Sequence, residues 1–195
     1  MGIHDDYFAH CKSFEEQYGD NTIVFFQKGT FYELWELDLP DIKVGKASIF
    51  AQLANVVLSR AKKADPHDAD NPLMAGIPKI SIHKYAPLIL NANYNMVLID
   101  ENPNEKGTRE VKTIWTPGTY ESPDSSTIPS TTAICIDDSV NACCVFGIST
   151  FNCSTGDSSV YEVFSKEDAF RVISSISPRE IIIYIRNSSK PFSPE

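Results

Sequence analysis

Ten residues near the N-terminus, "QKGTFYELWE" (Gln27–Glu36), hold an uncommon arrangement of chemical groups. A glycine turn is followed at once by an aromatic pair and an acid, directly behind the apolar run "TIVFF" (Thr22–Phe26). If "FYELW" is a strand, its side chains alternate between faces. Phe31, Glu33 and Trp35 then share one side, and Tyr32 and Leu34 the other. Two readings compete. In the first, Phe31 belongs to the core and Glu33 sits at its edge, because aromatics at strand spacing usually pack. In the second, Phe31 and Glu33 stand together at the tip of a hairpin. An exposed phenyl ring can wedge between base pairs, and a carboxylate two residues on can reach an edge of the same base.

Other candidate chemistry is thinner. The basic cluster "SRAKK" (Ser59–Lys63) stands out in an acidic chain. Its Lys62 and Lys63 read equally well as phosphate contacts or as a solvated loop. Asp38 and Asp41 read as solvent-facing. Asp137 and Asp138 end a predicted strand, where an acid of a two-metal nuclease could sit. Such a site needs further converging carboxylates, and Asp157 and Glu162 fall in a loop and on a strand of unknown facing. No Ser or Cys lies in a nucleophile elbow. The four histidines and five cysteines are not at zinc-ligand spacing, so neither a metal site nor a catalytic site is expected. No G-x-x-x-x-G-K-[ST] occurs; Gly45-Lys46 lacks the upstream glycine and is followed by alanine.

The chain has 195 residues, enough for one large domain or two small ones. Its 17 Lys+Arg against 26 Asp+Glu give a formal net charge of −9. Phosphate contacts carry most non-specific affinity for nucleic acid, so this balance argues against tight binding by the chain alone. No apolar run approaches a membrane span, and the acidic start does not read as a signal or transit peptide. Position 6 is Asp6, so the usual myristoylation pattern is missing. Cys135, Cys143 and Cys144 lie in apolar, strand-like runs, which suggests buried free thiols in a reducing compartment.

The elements that must position these groups follow from periodicity. Tyr7, Phe8, Cys11, Phe14 and Tyr18 have helical spacing, with Asp5 and Asp6 near the start and Gly19 at the end. "TIVFFQ" reads as a strand buried on both faces, and "KGT" as the turn into the returning strand "FYELW". Residues 47–58 predict a helix, or a helix giving way to a strand at Val56-Val57-Leu58. Residues 61–72 read as a polar loop. A helix capped by Ser81 follows, with Ile82, Tyr85, Leu88 and Ile89 inward, Pro87 as an internal irritant and Asn93 closing it in a left-handed conformation. "NMVLIDE" and "REVKTIWT" read as two strands. The Pro/Ser/Gly-rich stretch 117–130 marks a boundary: a first domain over 1–118, a linker over 119–129 and a second domain over 130–195. In the second, three antiparallel strands, a helix and a fourth strand make the opening of an RNase H-like α/β fold.

In family terms, the hairpin "FFQKGTFYELWE" resembles the N-terminal mismatch-recognition domain of the MutS family of DNA mismatch-repair proteins. "LSR" (Leu58–Arg60), "NPLMAGIP" (Asn71–Pro78), "HKYAPLILNANYNMVLIDE" (His83–Glu101) and "REVKTIWTPGT" (Arg109–Thr119) each resemble a MutS segment in its family order. "TAICID", "GISTFNCSTGDSSVYEV" and "SPREIIIY" resemble the family's connector domain, itself RNase H-like. The resemblance implies a mixed-sheet α/β mismatch-recognition domain followed by part of that connector. It implies that Phe31 stacks on a mispaired base from the minor groove and that Glu33 hydrogen-bonds the base. It places Arg60 near the DNA backbone and Met74 against the groove near the lesion. It also implies duplex DNA with mispairs or small loops as ligand, a second MutS-type subunit, downstream repair proteins met through the connector, and ATP with Mg used elsewhere in a longer protein. This piece would hold no cofactor and would act inside a cell, in nucleus, cytoplasm or organelle, or derive from a virus. Lys28, where many members have methionine or valine, and Asp100-Glu101, where many have Glu-Gln, depart from the family's pattern. A connector-type protein-interaction module without lesion reading is the alternative, and an RNase H-like nuclease a more distant one.

Overall fold

A computed structural model describes residues 2–105, 107–121, 130–137 and 144–186. The chain divides into two compact units, Met1–Thr116 and Pro117–Glu195. Both are mixed α/β, and no helix among the described residues is long and apolar enough to cross a membrane.

The first unit is built around β1 (Thr22–Lys28), whose first five residues are all buried. Such burial requires cover on both faces and pairing on both edges. β1 pairs antiparallel with β2 (Phe31–Asp38) on one edge and parallel with β6 (Asn95–Glu101) on the other. The sheet runs β4 (Ser59–Arg60), β5 (Leu73–Pro78), β2, β1, β6, β7 (Arg109–Trp115), with the short β3 (Lys43–Gly45) also paired to β2. Helix α1 (Ile3–Tyr18) covers one face: Tyr7, Phe8 and Cys11 pack on Phe26, Trp35, Leu37, Val97 and Ile99. On the opposite face, Phe50 of α2 (Ala47–Ala54) meets Phe25 edge-on at 5.1 Å and Tyr85 of α3 (Ile82–Asn91) at 6.4 Å. Phe25 and Phe50 are fully buried, and each such side chain contributes roughly 1.5–3 kcal/mol.

Two turns need glycine. Gly29 takes φ 60° in the two-residue loop between β1 and β2. Gly45 takes φ 83°, and a Cβ there would meet the Trp35 carbonyl oxygen. Just beyond it, α2 has no cap of its own. Glu36 supplies one from β2, accepting from the Ser48 backbone N–H at 2.6 Å and the Ser48 hydroxyl at 2.8 Å.

Several expectations need correction. Val56-Val57-Leu58 is not a strand: Asn55 closes α2 at φ 52°, and only Ser59 and Arg60 pair afterwards. Ser81 stands at the N-cap of α3 but makes no side-chain cap bond, because a 3₁₀ turn over Lys79–Ser81 already leads in. Leu88 faces outward, and Ala86 and Leu90 fill the inward row with Ile82 and Ile89. Pro87 is accommodated inside the helix, and Asn93 takes φ 62° just after it.

The second unit holds an antiparallel meander, β8 (Ser130–Asp137), β9 (Val145–Asn152) and β10 (Ser158–Val163). Helix α4 (Lys166–Ile176) then leads to β11 (Glu180–Arg186), which lies parallel to β8. The Ser165 hydroxyl caps α4 by accepting from the Asp168 N–H at 3.1 Å. A small core of Ile134, Phe146, Ile148 and Ala169 forms under this helix. Cys135 points to the other side of β8 and is exposed, as is Cys153; only Cys11 among the described cysteines is buried. Strand alternation places adjacent residues on opposite faces, so an apolar run is no guide to the burial of a particular thiol. Cys143, most of the stretch expected as a linker (122–129) and Asp138 lie outside the described residues.

Candidate nucleic-acid interface

Strand alternation sets the face to which Phe31 points, and the end of the α1 cover leaves it exposed there. It begins β2 directly after the two-residue loop and is 45 % exposed, whereas Tyr32 is 1 % exposed. Tyr32 lies against Phe25, and its hydroxyl donates to Asp100 Oδ1 on β6 at 2.6 Å. With Tyr32 fixed on one face, alternation sends its neighbours Phe31 and Glu33 to the other. The first reading of the sequence, Phe31 in the core, is therefore not what the fold adopts; Trp35, further along the same face, is the core residue.

A polar network braces the tip from behind. Lys79 Nζ donates to Asp100 Oδ2 at 2.7 Å and to Gln27 Oε1 at 2.7 Å, and the Glu101 N–H donates to the same Gln27 oxygen at 3.1 Å. Lys112 Nζ adds a second cation 3.3 Å from Asp100. Burial alone would raise the Asp100 carboxyl, but the bonds from Lys79 and Tyr32 and the two lysine charges outweigh it and hold it below its ordinary range. Burial, then the Asp100 bond and charge, push the Tyr32 phenol well up. Asp100 and Glu101 are thus the two acids that hold the hairpin: Glu101 Oε1 also accepts from the Gly29 N–H at 3.3 Å.

Strand register decides which candidate residues share a face. Phe31 is opposite Pro78, Glu33 opposite Gly76, and Trp35 opposite Met74. Phe31, Glu33 and Met74 therefore line one face, with Met74 half-buried against the α1 core. Lys28 is the register partner of Phe31 on β1 and joins them there. Its ammonium lies 3.1 Å from Glu33 Oε2 and 5.7 Å from the Trp35 ring centre. His4 of α1 stacks obliquely on Trp35, and burial, then the Lys28 charge, hold its imidazole below the usual value. Arg60 does not join this group. It pairs with Leu73, which pairs with Glu36, so it lies on the opposite face about 17 Å along the strand from Phe31. Its guanidinium donates to the Lys63 carbonyl at 3.1 Å. Lys62 and Lys63 are exposed on the loop between β4 and β5, which the buried Asn71 amide organises through the Lys62 N–H and the Lys62 and Pro66 carbonyls.

Among the described residues, which exclude Asp138, the candidate nuclease acids do not assemble. Asp137 faces Arg186 at 3.6 Å, Asp157 accepts from the Thr155 hydroxyl at 2.7 Å, and no three metal-ligating side chains converge among the described residues. Of the Gly45-Lys46 pair, Lys46 is bonded to Glu15, and Gly45 lies where a Cβ would meet the Trp35 carbonyl oxygen. Sequence reasoning missed Lys28 as part of the tip, and Gln27 and Lys79 as its brace. The signal available for Lys28 was its place immediately before the turn glycine, which in a two-residue hairpin fixes it opposite Phe31.

A family model described as MutS domain I matches residues 7–124. The chain belongs to the MutS family. The matched stretch holds the whole β1–β2 hairpin and every tip residue described above. Similar proteins include a DNA mismatch repair protein MutS homologue of Acanthamoeba polyphaga mimivirus, 25 % identical over 93 % of this chain and 18 % of its own length. The DNA mismatch repair protein MutS of Exiguobacterium sp. is 27 % identical, over 88 % of this chain and 19 % of its own length. That of Thermotoga maritima is 28 % identical, over 86 % and 19 %. The chain thus spans about a fifth of the length of these MutS relatives.

Proposed function

We propose that this chain reads mispaired or unpaired bases in duplex DNA, with Phe31 as a minor-groove wedge and Glu33 as the polar contact to the displaced base. One observation carries the reading: a phenylalanine 45 % exposed at the tip of a hairpin whose next residue is buried and bonded in place. A ring held out on a braced strand can enter a base step without losing much freedom of its own. Inserting it unstacks one step and kinks the duplex, at a cost of a few kcal/mol. A well-paired base resists that displacement, while a mismatched or extra base yields at lower cost, and the difference is the selectivity. Membership of the family supports a role in DNA mismatch repair and in DNA binding.

The net charge of −9 argues that most phosphate contacts come from elsewhere. Arg60, Lys62 and Lys63 form a secondary basic group for the flanking backbone, and Met74, on the same face as Phe31 and Glu33, would pack against the groove near the lesion. Clamping elements in the rest of a longer protein, and a second MutS-type subunit, would supply the remainder, with ATP and Mg bound there. The piece itself performs no chemistry in this reading. The organisation fits a recognition domain over 1–118, a linker over 119–129 and an RNase H-like connector beginning at 130; the strand order β10-β9-β8-β11 supports the last. The 10 Asp+Glu against 5 Lys+Arg over residues 121–195 suit a protein partner, such as downstream repair proteins, better than DNA.

The test is fluorescence anisotropy with a duplex carrying one unpaired thymine and its fully paired counterpart, at fixed salt. Phe31→Ala is expected to weaken lesion binding by about 1–3 kcal/mol, the scale of one base–aromatic stack, and to leave paired-duplex binding unchanged. Equal affinities of wild type for the two duplexes would refute the wedge and favour the interaction-module reading.

A further inference from the structure

We propose that Lys79 is the positioning residue of the wedge: it holds the hairpin loop fixed beside an open hollow, so that Phe31 can push a weakly paired base aside without giving way itself. The inference rests on the wedge reading above and adds to it the residue on which the stance of Phe31 depends.

The loop Gly29-Thr30 has little to pack against, since glycine has no side chain and both residues are exposed. Beside it lies a hollow of about 550 Å³ lined by Gln27, Gly29, Thr30, Pro78, Lys79 and Ile80. Ile80 on its wall is 92 % exposed and gives the loop little packed support. Hydrogen bonds hold the loop instead, and they converge on Lys79. Pro78, the register partner of Phe31, has no N–H, so Lys79 supplies the donor at this end of β5. Its backbone N–H donates to the carbonyl of Thr30, the residue just before Phe31, at 2.9 Å. Its ammonium donates to Gln27 Oε1 on β1 and to Asp100 Oδ2 on β6, both at 2.7 Å. Gln27 in turn donates through Nε2 to the Gly29 carbonyl at 2.9 Å. Both carbonyls of the loop are thus tied to Lys79, one directly and one through Gln27. From β6, Glu101 adds a longer bond to the Gly29 N–H, at 3.3 Å. The Lys79 side chain is 31 % exposed and that of Asp100 13 %, so the strut stands behind the tip and not at its surface.

A base step pushes back on an inserted ring, so the step opens only if the loop behind the ring does not yield. A loop freed from Lys79 has the hollow to move into. It would then be ordered only on binding, and fixing a residue's backbone at that moment weakens the complex. The loss falls on the lesion complex, where the ring is inserted, and not on the paired duplex, where it is not. Lys79 therefore raises lesion preference without touching DNA.

The test compares wild type, Lys79→Met, Lys79→Arg, Lys112→Met and Phe31→Ala in the full-length protein. Each is titrated against a duplex with one unpaired thymine and its paired counterpart, over a range of salt, at a temperature where tryptophan fluorescence shows every variant folded. Lys79→Met keeps the backbone bond to Thr30 and the aliphatic stem beside Tyr32, and loses both side-chain bonds. It is expected to lower the preference for unpaired thymine about tenfold, the scale of ordering one further residue on binding, with paired-duplex affinity unchanged. Lys79→Arg still has donors for both acceptors and is expected to keep the preference. Lys112→Met removes the other cation from Asp100 but no bond to the tip, and is expected to keep it too. In the free protein, amides 29–31 should exchange faster in Lys79→Met than in Lys112→Met. If Lys79→Met weakens both duplexes alike and flattens the salt dependence, Lys79 is a phosphate contact and the inference fails. If Lys112→Met loses the preference as fully as Lys79→Met, the charge beside Asp100 matters and not the strut, and the inference fails again. If Phe31→Ala loses a preference that Lys79→Met keeps, the inference fails while the wedge stands. If wild type shows no lesion preference, the wedge reading itself fails, and the inference with it.

Discussion

Tyr32→Phe tests whether the network behind the hairpin sets the wedge. The change removes one oxygen from a side chain that is 1 % exposed and leaves the ring on Phe25 in place. What is lost is the 2.6 Å bond from the phenol to Asp100 Oδ1. A hydrogen bond to a charged group is worth about 1.5–3 kcal/mol net. Asp100 keeps Lys79 at 2.7 Å and Lys112 at 3.3 Å, so its charge is not orphaned and the loss falls at the lower end. A destabilisation of about 1–2 kcal/mol is expected, which at an ordinary slope moves the urea midpoint down by about 0.7 M. The chain's two tryptophans, Trp35 and Trp115, both lie in the first unit, so their fluorescence reports its unfolding alone. The pH dependence gives a second check. The Tyr32 phenol is raised in the folded state, so its contribution is complete below the ordinary tyrosine range near pH 10 and declines as pH rises above it. The Asp100 carboxyl is held low, so its contribution is present above the ordinary carboxylate range and lost as pH falls below it. The gap between wild type and Tyr32→Phe should therefore be widest from about pH 5 to 9 and narrow toward either extreme. An unchanged midpoint at neutral pH, or a gap that does not narrow in alkali, refutes the network's role.

Asn71→Ala should cost about 2–3 kcal/mol, because its amide is 2 % exposed and satisfies three backbone groups of the 61–72 loop. Hydrogen exchange should quicken across that loop while the amides of β1 and β6 stay protected. Among the cysteines, burial pushes the Cys11 thiol up to about 12, so it should resist a thiol reagent at mild alkaline pH until the first unit unfolds. Exposed Cys135 and Cys153 should react in the native protein, with peptide mapping by mass spectrometry as the readout.

How far the sequence was legible differs from element to element. The apolar block Thr22–Phe26 announced a central strand because burial on both faces leaves no polar positions, and five consecutive buried residues bear this out. Gly29 announced the hairpin because only a positive φ closes a two-residue loop in this twist. The shared face of Phe31, Glu33 and Trp35 followed from alternation. Exposure did not: Phe31 and Trp35 are alike in pattern, and only the position of α1 decides that one is buried and the other free. The same limit applies to Leu88, whose helical spacing suited an inward role but which the packing of α3 leaves exposed. The resemblance places Arg60 near the DNA backbone, and only the pairing of β4 to β5 shows that it lies on the face opposite Phe31.

The sequence by itself determined the strand that must be central, the turn beside it and the alternation that pairs Phe31 with Glu33, because these depend on backbone geometry and polarity over a few residues. Tertiary structure alone decided which side of the sheet each helix covers, and therefore that Phe31 is left exposed. It also brought Lys79, Asp100 and Gln27, distant in sequence, together behind the tip. Such contacts arise from parallel pairing of β1 with β6 across more than seventy residues, and no local pattern encodes a partner at that distance.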